Sequence, residues 1–125
     1  MTLREQRVYF TGLVVRLLSQ IAEHKWPYGT VEVAGDEWTV HTPRMVRLGE
    51  TGPRQLAWDA VHKRAGQHPK GLAVDLLVYI DGDYVESGDH QIWKDIDGMA
   101  RTMDPEFGLG LAFQDPNHLS YGEGS

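Results

Sequence analysis

A chain of 125 residues with 41% apolar side chains is expected to fold as one domain around one modest core. It contains no cysteine, which excludes disulfides, thiolate zinc sites and cysteine nucleophiles together and leaves the redox compartment open. Twelve basic against eighteen acidic residues give a net charge of −6, and no run of Lys or Arg is long enough to follow a phosphate backbone, so nucleic acid is a poor partner.

Residues 3–24 are predicted to form an amphipathic helix, because Leu3, Val8, Phe10, Leu13, Val14, Leu17, Leu18 and Ile21 recur near a 3.6-residue period. Thr2 followed by Glu5 is a capping-box start, and Trp26-Pro27-Tyr28-Gly29 ends the helix. Arg16 interrupts the apolar run 13–18, and no small-residue cleavage site follows it. Neither a signal peptide nor a membrane span is therefore read, and no membrane insertion is expected. Residues 30–33 and 38–41 look like short strands around a Gly35-Asp36 turn. Residues 42–53, punctuated by Pro43, Gly49, Gly52 and Pro53, read mostly as loop. Residues 55–64 suit a short helix with Leu56, Ala57, Ala60 and Val61 on one side. A loop over 65–71 then leads into a strand over 72–80. Asp81-Gly82 is a hairpin signal, with Tyr84-Val85 starting the return strand. Residues 90–103 read as a helix through Ile92, Trp93, Ile96, Met99 and Ala100, closed by Asp104-Pro105. Residues 108–113 and 118–121 are the last strands, and the tail 122–125 is expected to fray. Helices flanking a small antiparallel sheet in a single domain make the expected fold class α+β.

The most apolar stretch, residues 72–80, carries one carboxylate, Asp75. An ionised group among aliphatic neighbours must be paired, hydrogen-bonded or bound to a metal. With His68 and His118 it forms a candidate set of two imidazoles and one carboxylate. That set suits a catalytic zinc, which takes three protein ligands and keeps a fourth position for water, although the same donors can bind iron, cobalt or manganese. Asp115, three residues before His118, is a candidate to exchange a proton with that water. The simpler readings are a turn-capping His68, an Asp75 paired with Lys70, a backbone-bonded His118 and an Asx-turn at Asp115.

Spacing alone is weak, because six His and ten Asp in this length give about half a chance occurrence of any fixed offset. His90 and Asp97 repeat the offset of His68 and Asp75, and Asp59 and His62 repeat that of Asp115 and His118. Asp59 and His62 read as an ordinary helix-surface pair and His90 and Asp97 as solvated helix residues. Context favours the first set: His68 lies in a loop feeding a strand, Asp75 within that strand, and His118 after a Pro-Asn turn. Asp81-Gly82-Asp83 lacks the further ligands of a calcium loop and reads as a hairpin turn. Trp58 and Trp93 read as core residues.

Two segments carry a family resemblance. Gln67-His68-Pro69-Lys70-Gly71-Leu72-Ala73-Val74-Asp75-Leu76, followed by Ile80-Asp81-Gly82-Asp83-Tyr84, is one, and Asp115-Pro116-Asn117-His118-Leu119 is the other. Together, with Trp93 between them and the opening Leu3-Arg4-Glu5-Gln6-Arg7, they resemble the zinc D-Ala-D-Ala carboxypeptidase-like (VanY-like) peptidases, in particular the phage endolysins that cut L-alanyl-D-glutamate bonds. The specific likeness covers roughly residues 66–121.

The resemblance implies His68, Asp75 and His118 as zinc ligands and Asp115 as general base, in a mixed α+β fold around an antiparallel sheet. It implies hydrolysis of an amide bond in peptidoglycan stem peptides by a monomer made in the bacterial cytoplasm. A separate membrane protein would let it out to the wall. Three positions depart from the family pattern. Gly66 stands where a serine is usual, Leu109-Gly110-Leu111 stands for Trp-Gly-Gly, and Gly35-Asp36-Glu37-Trp38-Thr39 lacks the usual substrate-holding arginine. Arg44 and Arg64 are the candidates to replace that arginine. The alternatives within the same fold are a carboxypeptidase releasing terminal D-Ala and an inactive wall-binding or virion module.

Overall fold

A computed structural model describes residues 1–36 and 70–122. Helix α1 spans Leu3–Glu23. The Thr2 hydroxyl accepts the Glu5 N–H at 3.1 Å, and the Glu5 carboxylate accepts the Thr2 N–H at 3.1 Å. This is the expected capping box, and the Thr2 N–H donating to the carboxylate is the main cause that holds the Glu5 carboxyl below its ordinary range. Phe10, Leu13, Val14, Leu17 and Ile21 form the buried stripe. Leu3 and Val8, counted by periodicity toward that stripe, are exposed instead. The helix stops at His24, and the Trp26 indole N–H donates to the Ile21 carbonyl at 2.9 Å across the end of the last turn.

Strand β1, Val31–Asp36, corrects one expectation. The Gly35-Asp36 turn does not form; the strand runs through both residues and pairs Gly35 with Leu76 and Asp36 with Asp75. A Gly-Asp pair is a local turn signal, and here the ladder with a distant partner strand overrides it. That partner is β2, Ala73–Ile80. It turns at Asp81-Gly82 into the short β3, Asp83–Tyr84. Both turn residues have positive φ, 51° and 85°, which is the type I′ geometry that matches strand twist. The Asp81 carboxylate accepts the Thr30 N–H at 2.8 Å, so the acidic turn ties the end of β2 to the start of β1.

Helix α2, Gln91–Met103, starts on His90, whose Nδ1 accepts the Ile92 N–H at 3.0 Å. Ile92, Trp93, Ile96 and Ala100 are buried on one side, as expected for Trp93. Strand β4 is shorter than read, Phe107–Gly110, and gives way to a 3₁₀ turn at Leu111–Phe113. Strand β5 is longer, Asp115–Tyr121. Asp97 is no solvated surface residue. Its carboxylate accepts the Leu109 N–H at 2.7 Å and pairs with Arg101 at 3.2 Å, clamping α2 to β4.

All strand pairings are antiparallel, in the order β1-β2-β5-β4 with β3 on β2. With the two helices found among the described residues this gives an α+β fold, as expected. The core lies between the helices and one sheet face. Val74, Leu76 and Val78 of β2, Leu119 of β5, and Phe107 and Leu109 of β4 meet the apolar stripes of α1 and α2 there. The connector after α1 is fixed by a 2.6 Å hydrogen bond from the Tyr28 hydroxyl to Asp95. Burial opposes ionisation of Asp95, but bonds from Tyr28 and Gln91 outweigh it and hold the carboxyl below its ordinary range. Among the described residues, no helix is long and apolar enough to cross a membrane. The expected strand at 38–41, loop at 42–53 and helix at 55–64 lie outside the described residues, as does most of the loop at 65–71.

Candidate metal centre

Strand alternation decides where Asp75 points. Successive side chains of a strand alternate between faces, so Val74 and Leu76 go into the core and Asp75 goes to the other face. Its side chain keeps 26% of its exposure, so it is not an ion sealed among aliphatic neighbours. The apolar sequence around Asp75 overstated its burial for this reason.

On that other face, β2 and β5 place Asp75 and His118 directly opposite each other. Directly opposed residues share a face with their Cβ atoms close together. The imidazole Nδ1 of His118 lies 3.5 Å from Asp75 Oδ1, and its side chain retains only 7% of its exposure. That separation is longer than the 2.7–3.2 Å or so of an ordinary N–H···O hydrogen bond. It is close to the spacing of two ligands on one tetrahedral zinc, where donors each ~2.1 Å from the metal lie about 3.4 Å apart. An imidazole and a carboxylate at that spacing fit two of the three ligands of a zinc site.

Asp115 reaches the pair through an irregularity. In an even strand, residues three apart fall on opposite faces. Here the β4–β5 register jumps from Leu109 opposite Leu119 to Gly110 opposite Asp115, so β5 bulges between them. The bulge brings Asp115 Oδ2 to 3.9 Å from His118 Nδ1, with the Asp115 side chain 54% exposed. The residue before it, Gln114, takes the left-handed conformation, φ 58° and ψ 35°. A non-glycine residue there costs roughly 1–2 kcal/mol. This strain stands next to Asp115, and backbone strain of this kind clusters at functional sites. An exposed carboxylate beside the mouth of a two-donor pair is suited to proton exchange with a water rather than to sealing the site.

The sequence therefore named three of the residues that the fold brings together: Asp75, His118 and Asp115. His68, the expected third ligand, and Arg44 and Arg64, the expected substrate-holding residues, lie outside the described residues. So do Trp58, Asp59 and His62. Among the described residues, no group of three or more His, Asp and Glu side chains is arranged to hold a metal by itself. Sequence reading also missed that β1 extends to position 36, which the register sets opposite Asp75. The continuing Val-Glu-Val-Ala alternation of β1 was the available signal, and the Gly-Asp pair hid it. No family model, curated protein or solved structure matches the chain.

Proposed function

We propose that the chain is a zinc peptidase that hydrolyses an amide bond in peptidoglycan stem peptides, of the VanY-like, phage endolysin type. The observation that carries this reading is the opposed Asp75–His118 pair, at ligand spacing and off the core face, with Asp115 bulged toward it. His68, Asp75 and His118 would hold the metal. Zinc would supply Lewis acidity at the scissile carbonyl and lower the pKa of the attacking water toward ~7. Asp115 would take a proton from that water and pass it to the leaving amine, a role its exposure and its position at the imidazole edge both support. The strand pairing holds Asp75 and His118 on rigid backbone, so their spacing does not depend on a flexible loop. The resemblance implies cleavage between L-alanine and D-glutamate, with the wall as the site of action after release.

The test is digestion of purified peptidoglycan, with mass analysis of the fragments, before and after chelation. New amino termini at D-glutamate that vanish with chelator and return with zinc are expected. Release of D-alanine alone would make the enzyme a carboxypeptidase. An intact wall after zinc loading would contradict a peptidase.

A further inference from the structure

A cavity of about 350 Å³ opens beside the proposed proton-transfer residue. Its described walls are Gly88, Asp89, Leu111, Gln114 and Pro116, so it touches the chain on both sides of Asp115. Two contacts fix its shape. The Trp93 indole N–H donates to the Ser87 carbonyl at 2.8 Å, holding the segment before α2 in place. Gly88 then approaches Pro116 so closely that a Cβ on Gly88 would stand 3.0 Å from the proline ring.

The walls are chemically divided. Leu111 and Pro116 offer apolar surface, and Gln114 offers an amide. Asp89 offers a carboxylate for which the described structure records no hydrogen bond or ion pair; only its backbone N–H is engaged, with Ser87 Oγ at 3.2 Å. No Lys or Arg is among these walls. A ligand that fits has an aliphatic stem ending in a cationic amine: the stem lies along Leu111 and Pro116, and the amine meets Asp89. A stem peptide contains one residue of this kind, its diamino acid. Asp115 delivers its proton to the leaving amine, so a cavity at its flank lies on the leaving-group side of the bond.

We infer that this cavity is a substrate subsite for the diamino acid of the stem peptide, with Asp89 binding its free side-chain amine. The inference rests on the peptidase reading for its choice of ligand. The subsite selects uncrosslinked peptides, whose amine is free, over crosslinked or acylated ones, where the positive charge is gone.

The test is calorimetric titration of the full zinc-loaded chain with a soluble stem peptide, its side-chain amine either free or acetylated. Wild-type chain is expected to bind the free-amine peptide about fivefold more tightly, the scale of an exposed charge pair. Asp89→Asn is expected to erase that preference, and Asp83→Asn, the same charge change on the β3 hairpin and outside the walls of this cavity, is expected to keep it. Equal binding of the two peptides by wild type overturns the inference, as does a preference that survives in Asp89→Asn. A preference lost in Asp89→Asn with no cleavage of either peptide supports the subsite and contradicts the peptidase.

Discussion

Replacing Asp115 by alanine is expected to slow peptidoglycan cleavage about a hundredfold to ten-thousandfold, the range a positioned acid–base group contributes, while zinc content stays at the wild-type level. The two readouts separate because Asp115 stands 3.9 Å from the His118 imidazole with more than half of its side chain in solvent, outside the proposed ligand set. Fluorimetric or turbidity assays of wall lysis give the rate, and metal analysis gives the zinc. An Asp115→Asn variant sharpens the test: it keeps the Asx-turn capacity and removes the base, so its activity should be as low as that of the alanine variant. Unchanged lysis in both variants would show that Asp115 is a turn residue.

The second large effect concerns the core. Phe10→Ala is expected to destabilise the fold by about 3–5 kcal/mol, a large part of the stability of a domain this size. Phe10 is fully buried on α1 and meets Phe107 of β4 edge-on at 5.9 Å, so its loss leaves a cavity where the helix crosses the sheet. Val8→Ala on the same helix, at 70% exposure, is expected to change stability by no more than about 0.5 kcal/mol. Urea melts of the two variants check the contrast; similar midpoints would mean that α1 does not pack on the sheet through Phe10.

Residues whose neighbours in sequence are also their neighbours in space were the legible ones. Helix α1 was readable from its apolar period and Thr2–Glu5 box, and the β2–β3 turn from Asp81-Gly82. Helix α2 was readable from Ile92, Trp93, Ile96 and Ala100. What failed depended on partners far along the chain. Gly35-Asp36 reads locally as a turn and becomes strand because Leu76 and Asp75 supply its ladder. Asp97 reads as a solvated helix residue and is instead the acceptor for Leu109, twelve residues on. At the candidate centre, sequence named Asp75 and His118 but not how they meet. Their opposition follows from the β2–β5 register, and the reach of Asp115 follows from a bulge that spacing alone does not encode. The apolar run around Asp75 pointed to a buried charge, whereas strand alternation turns that carboxylate away from the core.

The most direct measurement is zinc stoichiometry of the purified 125-residue chain, with X-ray absorption to identify the donors and with Asp75→Ala and His118→Ala as comparisons. About one zinc per chain, bound by nitrogen and oxygen donors and lost from both variants, is the expected result. A chain that takes up no zinc, or whose zinc survives removal of both Asp75 and His118, would contradict a metal centre on this face of the sheet.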